Sequence, residues 1–322
     1  MKKNINLILA TIICLFVSTI LLLQSCSETE LDSLTLENIP ESYKMIGTMH
    51  NEGLEYFFKD IRTFYAINTK NGHEKILNKV DYKAMYKRSI TNFCKSNKIS
   101  NTSAQFYEEL FDNAERKTSL RSNNTVPINE EIVKLQEEIN AAIAKDGDKK
   151  DLVKFQKSLD EINKKATNTL SEIDAIAIYA ATSTAFSSYI YWKENHTKWQ
   201  IALNHPELLE LYSDDELNKL KIKNVNLNEP ESIKLKSWWG DAWGAVGEAW
   251  DTGATAMTDW WNNGGSDVVA ADAGGAVTGA MAGAIGGLAT AGTLSGPAAI
   301  AGGISGGCYT SIQETIEQWI KR

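Results

Sequence analysis

The stretch AIAIYAATSTAFSSYIYW, residues 175–192, contains 18 residues without a charge and determines the fold of the larger part of the chain. Its length is close to the ~20 apolar residues that a transmembrane helix needs. It also carries five hydroxyl side chains, which belong to Thr182, Ser183, Thr184, Ser187 and Ser188. So many small polar groups suit the centre of a water-soluble helical bundle better than lipid. The stretch therefore predicts a buried central helix.

The sequence before this stretch reads as one helix after another, without the alternating pattern of strands. A first helix beginning near Ser42 places five residues on one face: Ile46, His50, Leu54, Phe57 and Ile61. A helical hairpin follows, turning at Asp146-Gly147-Asp148. Its two arms repeat apolar residues at helical spacing: Ile132, Leu135, Ile139 and Ala142, then Leu152, Phe155, Leu159, Ile162 and Ala166. The spacing predicts an all-α helical-bundle domain over residues 41–222.

A change of composition predicts a domain boundary after residue 222. Of the 22 glycines, 18 lie in residues 237–322, together with 7 of the 9 tryptophans but only 2 of the 33 lysines and arginines. Residues 223–236 are polar, contain Pro230 and read as a linker. We therefore expect residues 237–322 to form a separate segment.

Glycine recurs every fourth residue in the C-terminal segment. One stripe comprises Gly275, Gly279, Gly283 and Gly287, and a second comprises Gly302, Gly303, Gly306 and Gly307. Because a glycine in a helix costs about 1 kcal/mol against alanine, such stripes persist where two helices approach closely, as in GxxxG pairs of membrane helices. Residues 273–313 carry no formal charge. They predict a glycine-zipper helical hairpin, called the glycine hairpin below, with Asp272 and Glu314 near one of its ends.

A tryptophan-rich amphipathic helix is predicted just before the glycine hairpin. Trp239, Trp243, Trp250 and Trp261 fall on one side of a helical wheel, and acidic residues fall opposite. Tryptophan suits a membrane–water boundary, which makes these four side chains candidates for an interfacial contact. An acidic polar face is unusual for a membrane-surface helix, so packing on the helical domain is the alternative.

The glycine hairpin carries a resemblance to known families. The segments GGAVTGAMAGAIGG, residues 274–287, and AAIAGGISGG, residues 298–307, are similar to glycine-zipper hairpins of outer-membrane lipoproteins and to Gly/Ala-rich bacteriocin-like segments. The first resemblance implies self-association within the outer membrane. The second implies insertion into the membrane of a target cell.

Residues with the spacing of a catalytic or metal site are missing from the sequence. The four histidines stand apart from one another and from cysteine pairs, so no metal-ligand or cofactor motif is formed. His50 reads as a core histidine with its ring satisfied. Gly303-Ile304-Ser305-Gly306-Gly307 matches the GxSxG letters, but no histidine follows His205 to complete a triad. We expect a protein that is not an enzyme and has neither cofactor nor metal.

The N-terminus resembles a bacterial lipoprotein signal. Two lysines precede the apolar residues 7–23, and Leu23-Gln24-Ser25-Cys26 follows as a lipobox. The resemblance implies cleavage of residues 1–25 and acylation of Cys26, which anchors the chain in membrane lipid. Residues 26–40 then form an acidic tether. Ser27 and the acids after it resemble signals for the outer membrane and for its surface.

Charge and cysteine content complete the sequence-based picture. Removal of residues 1–25 takes away two lysines, leaving 31 basic against 41 acidic residues and a net charge of −10. Nucleic acid is therefore not an expected partner. Cys94 and Cys308 remain either as a bridge or as two buried thiols.

The expected function is that of a lipid-anchored envelope protein with a membrane-active, bacteriocin-like glycine hairpin. Two alternatives stay open. One is a structural outer-membrane lipoprotein that self-associates through the zipper, and the other is a soluble helical binding module on a lipid anchor.

Overall fold

The structure of the protein is a computed structural model. It describes residues 35–70, 77, 79–99, 129–146, 152–219, 261–288 and 295–319. Eight α-helices and no β-strand occur in these ranges, which confirms the all-α prediction. The helices are α1 (Glu41–Lys70), α2 (Lys79–Ser96), α3 (Glu130–Asp146), α4 (Leu152–Thr169), α5 (Glu172–Asn204), α6 (Asp214–Lys219), α7 (Ser266–Leu288) and α8 (Ser295–Trp319).

Helix α5 is the centre of the bundle. It contacts α1, α3, α4, α6, α7 and α8, and nearly every residue from 175 to 192 is buried. Several of its hydroxyls are tolerated there because they donate hydrogen bonds to neighbouring helices. Thr182 donates to Asn163 Oδ1 at 2.7 Å, and Ser183 donates to the carbonyl oxygen of Lys44 at 2.9 Å. The prediction of a buried central helix is confirmed.

The predicted apolar faces of the earlier helices are also confirmed. All five residues on the predicted face of α1 are buried, as are the nine that define the arms α3 and α4. Apart from the buried Asp160, the charged residues of α3 and α4 lie toward solvent, where Lys165 pairs with Glu138 at 2.6 Å. These helices therefore cover the core with one face each, as their hydrophobic periodicity requires.

A second polar network joins α1 to the C-terminal half of α5. Lys198 is buried and pairs with Glu55, which also accepts a 2.7 Å hydrogen bond from the hydroxyl of Tyr191. The indole of Trp199 donates to the same hydroxyl at 2.8 Å. The ammonium of Lys198 lies 4.8 Å from the ring centroid of Phe58. Each buried polar group here has a partner, which makes burial of the lysine tolerable.

The glycine hairpin lies in the same compact unit as the preceding helices. Its arms α7 and α8 pack on each other and on α5, and they also contact α1, α2 and α3. This differs from the expected two-domain arrangement, because helices from both sides of the expected boundary share one core. The linker at 223–236 lies outside the described residues. Among the residues that the structure describes, no helix combines the length and hydropathy needed to span a membrane.

Candidate functional site: the glycine hairpin and a buried polar cluster

The first glycine stripe brings the backbones of α7 and α8 into direct contact. A Cβ atom added to Gly279 would overlap the carbonyl oxygen of Gly302, and one added to Gly302 would overlap that of Gly279. Gly283 meets the Ala298 carbonyl in the same way, and Gly275 and Gly306 meet each other. Any side chain at these positions would push the two helices apart. The predicted role of these glycines in close helix packing agrees with this geometry.

The second stripe has two sides, because Gly302 and Gly306 face α7 whereas Gly303 and Gly307 face the rest of the bundle. A Cβ atom on Gly303 would lie 3.1 Å from Cβ of Ala180 in α5, and one on Gly307 would lie 3.1 Å from Cδ2 of His50 in α1. Both stripes are therefore occupied by contacts within this chain. Gly287 is part of α7, but its surroundings are not among the described ones.

Of the four tryptophans predicted to be interfacial, Trp261 is described and is buried. Its ring packs edge-on against Tyr189 of α5, with ring centroids 5.4 Å apart. It stands in a short π-helical turn, Trp261–Gly265, that leads into α7. The position of Trp261 agrees with the packing alternative. Trp239, Trp243 and Trp250 lie outside the described residues, as does the lipidation residue Cys26.

Asp272 is the centre of a buried polar cluster that also contains His50, Thr184, Ser188, Trp192 and Ser311. The side chain of Asp272 is fully buried between α7 and α5. Its Oδ2 accepts hydrogen bonds from the hydroxyl of Ser188 and from the indole nitrogen of Trp192, the latter at 3.1 Å. Burial raises the pKa of Asp272 to about 7. The side chains of Ser188, Ser311 and Trp192 favour the charged carboxylate and act to lower this pKa, but burial has the larger effect.

His50 lies next to this carboxyl group and is neutral. Its Nδ1 is 3.0 Å from Oδ1 of Asn51, whose amide nitrogen donates to the carbonyl oxygen of Ser187. Since the amide of Asn51 is thereby oriented with its oxygen toward the ring, we assign the proton to Nδ1. Burial lowers the pKa of His50 to about 4. Its Nε2, 3.8 Å from Oδ2 of Asp272, is left without a hydrogen bond.

Several atoms of this cluster have no hydrogen-bond partner. Besides His50 Nε2, they are Oδ1 of Asp272, Oγ1 of Thr184 and Oγ of Ser311. Each such atom lowers the free energy of unfolding by roughly 1–3 kcal/mol. The expectation of a fully satisfied core histidine is therefore only half correct: His50 is in the core, but one ring nitrogen is unsatisfied. The cluster destabilises the contact between the glycine hairpin and the rest of the bundle.

The chemistry that this cluster supports is proton binding by Asp272 near neutral pH. In the described part of the chain, no group of three or more His, Cys, Asp or Glu residues is arranged to hold a metal ion. Ser305 of the GxSxG letters lies in the middle of α8 and donates to the carbonyl of Ala301 at 2.6 Å. A nucleophile elbow requires a strand-to-helix turn, which is not present at this position.

Sequence reasoning missed the burial of Asp272. It placed this residue at the end of a membrane hairpin, whereas the structure buries it completely. The available signal was local: Asp272 follows Val268 by four residues and Val269 by three, and it precedes Ala276 by four, so it shares an apolar helical face. The partners Ser188 and Trp192 lie 84 and 80 positions away in the sequence, so no local pattern connects them with Asp272.

Comparisons with protein-family models, with curated proteins and with solved structures find no match to this chain. Any functional proposal therefore depends on the residues described above.

Replacement of Gly279 by alanine should destabilise the protein by about 2 kcal/mol or more, because the added methyl group overlaps the Gly302 carbonyl. Thermal unfolding followed by circular dichroism measures this. Gly296→Ala is the matched control, since a Cβ at Gly296 meets nothing within 4 Å. It should leave the melting temperature unchanged or raise it. Equal melting temperatures for both variants would contradict the backbone contact.

Asp272→Asn should stabilise the protein more at pH 8 than at pH 5.5. The pKa of this carboxyl is raised from 3.8 to about 7 in the folded state, so its contribution to stability is complete only below pH 4 and is lost progressively as the pH rises from there through 7. Asparagine keeps the acceptor oxygen and carries no charge. We expect a gain of about 1 kcal/mol or more at pH 8.

The matched control for this pH effect is Asp267→Asn, an exposed acid of the same helix. It should not change the dependence of stability on pH between 5.5 and 8. The His50 contribution has the opposite sign, because a pKa of about 4 reduces stability as pH falls below the ordinary histidine value near 6.5. If Asp272→Asn changes the melting temperature by the same amount at both pH values, Asp272 is not the titrating group.

Proposed function

We propose that the protein is a non-enzymatic, lipid-anchored protein of the bacterial cell envelope that carries a membrane-active glycine hairpin enclosed in a helical bundle. The proposal joins two features that are far apart in the sequence. One is the lipobox ending at Cys26, and the other is the uncharged hairpin of residues 273–313.

The anchor is supported by the sequence at the N-terminus. Two acyl chains on the Cys26 thiol hold a protein on a membrane durably, because each buried methylene contributes ~0.8 kcal/mol. Ser27 and the acidic residues after it favour the outer membrane, with exposure at the cell surface as the further step. The bundle is then kept within a tether's length of lipid throughout its life.

The single observation that carries the proposal is where the glycine contacts lie. Gly275, Gly279 and Gly283 contact α8, the other arm of the same hairpin, and not the surrounding helices. The two arms can therefore leave the bundle as a pair without breaking their closest contacts. Helices in lipid also associate through small residues that bring two backbones together. Close packing is needed there because the hydrophobic effect does not drive one helix against another in lipid.

The rest of the bundle encloses this pair in the way that a membrane-active segment requires. Helices α1, α3 and α5 contact α7, α8 or both, and α1, α3 and α4 turn charged faces to water. The apolar side chains of the hairpin, such as Val277 and Ile304, are buried against them. A structure of this kind keeps an uncharged hairpin in aqueous solution until a membrane takes the place of the covering helices.

A second candidate is the soluble binding module on a lipid anchor, in which the glycine hairpin stays in the core. The hydrogen bonds from Ser188 and Trp192 to Asp272 favour it, because they attach α7 to α5. The structural-lipoprotein alternative requires the zipper to contact a second copy. Both stripes are occupied within the chain, so self-association would need the same release of the hairpin.

Replacing Cys26 by alanine should abolish incorporation of radiolabelled palmitate and leave a precursor with an intact N-terminus. The thiol is the only acylation point that the lipobox offers. The matched control is Cys94→Ala, which should be labelled like wild type because this thiol is buried in the bundle. Unchanged labelling of the Cys26→Ala variant would remove the anchor from the proposal.

Met281→Lys should greatly reduce release of dye from vesicles of phosphatidylethanolamine and phosphatidylglycerol. Met281 is half-buried on α7, so the bundle can hold a lysine whose charged end reaches water. In lipid the same charge costs ~3 kcal/mol at the centre of a helix. Met45→Lys, at a position of α1 that is 46% exposed, is the control and should release dye like wild type.

Circular dichroism verifies that both lysine variants are folded. Dye release by Met281→Lys at the wild-type rate, or no release by the wild type at all, would reject membrane activity and favour the binding module.

A further inference from the structure

Two cysteine thiols from distant parts of the chain meet in the interface between α2 and α8. Cys94 and Cys308 are both buried, and neither is in a disulfide. Sγ of Cys94 is 3.4 Å from Oγ of Ser305. Ser305 precedes Cys308 by three residues on α8, so it lies on the same helix face and about 4.5 Å away along the axis. The Cys94 thiol therefore lies within about one helical turn of Cys308.

A third residue locates the Cys308 thiol from the other side. A Cβ atom on Gly53 would lie 2.7 Å from Sγ of Cys308 and 3.3 Å from Cε1 of Phe93, the neighbour of Cys94. Cys308 donates to the carbonyl of His50 at 3.2 Å. Burial raises the pKa of the Cys308 thiol, and the proximity of Cys94 raises it further.

We propose that Cys94 and Cys308 are a redox-sensitive pair that forms a disulfide and thereby fastens the second arm of the glycine hairpin to α2. The modification adds a covalent contact at the interface between the hairpin and the bundle. It does not depend on membrane activity, and it applies equally if the hairpin never leaves the core.

The reaction is a thiol–disulfide exchange with a small disulfide as oxidant. The thiolate of one cysteine attacks a sulfur of oxidised glutathione, which breaks the glutathione S–S bond and forms a mixed disulfide. The second cysteine then attacks the protein sulfur of that mixed disulfide, and the second glutathione leaves. One protein S–S bond has formed, two protein thiols are oxidised, and their two protons end on the two glutathione thiols. Since the thiols are buried, the reaction requires a transient opening of the contact between α2 and α8 and should be slow.

The test uses the full-length protein, purified in mild detergent and incubated with oxidised glutathione at pH 8 without denaturant. Alkylation, proteolysis and mass spectrometry then identify linked peptides. We expect a peptide pair joined through Cys94 and Cys308. Recovery of both cysteines as alkylated or glutathione-bound peptides, with no linked pair, would overturn the proposal.

Thermal melting distinguishes a disulfide that fits the bundle from one that distorts it. The bridge closes a loop of more than 200 residues and should raise the melting temperature by roughly 5 °C or more. Cys308→Ser should show no such rise after the same treatment. A linked pair that lowers the melting temperature would also overturn the proposal, because it would mean that the native packing does not hold the two thiols in place.

Discussion

The contact between the backbones of α7 and α8 is the constraint on which the rest of the structure depends. Where Gly279 meets the carbonyl of Gly302, no atom larger than hydrogen fits. Two helices this close form a thin pair that can lie beside α5 within one core. Gly303 and Gly307 then leave room for Ala180 of α5 and His50 of α1, although these contacts are less close than those between α7 and α8. Glycine thus replaces large side chains as the means of packing, and many small dispersion contacts between backbones take their place.

This close packing explains why the polar cluster around Asp272 sits where it does. Asp272 lies on the face of the hairpin that packs against α5. The groups around its carboxyl, Ser188, Trp192 and His50, are therefore buried as well. Ser188 and Trp192 supply two donors, and His50 lies beside the carboxyl without a hydrogen bond from Nε2. An acid that binds its proton near neutral pH is consistent with this environment. The closest backbone contacts of the hairpin are thus between its own arms.

Hydrophobic periodicity predicted the elements whose faces are set by local sequence. The apolar positions of α1, α3 and α4 and the uncharged stretch in α5 are buried as expected. The place of the glycine hairpin could not be predicted in this way. A glycine every fourth residue predicts that another helix lies close by, but it does not identify that helix. The pattern also occurs both in helix pairs in lipid and in helix pairs in water. The burial of Asp272 was missed for the same reason, because its donors are on α5 and only the tertiary packing brings them together.

The glycine hairpin belongs to the core of the folded protein. Hydrogen–deuterium exchange on the full-length protein in aqueous buffer with mild detergent tests it most directly. Amides of residues 272–284 should exchange as slowly as those of residues 175–192 in α5, because both would open only when the bundle opens. Exchange of residues 272–284 within seconds, while α5 remains protected, would show that the hairpin is not packed in the core.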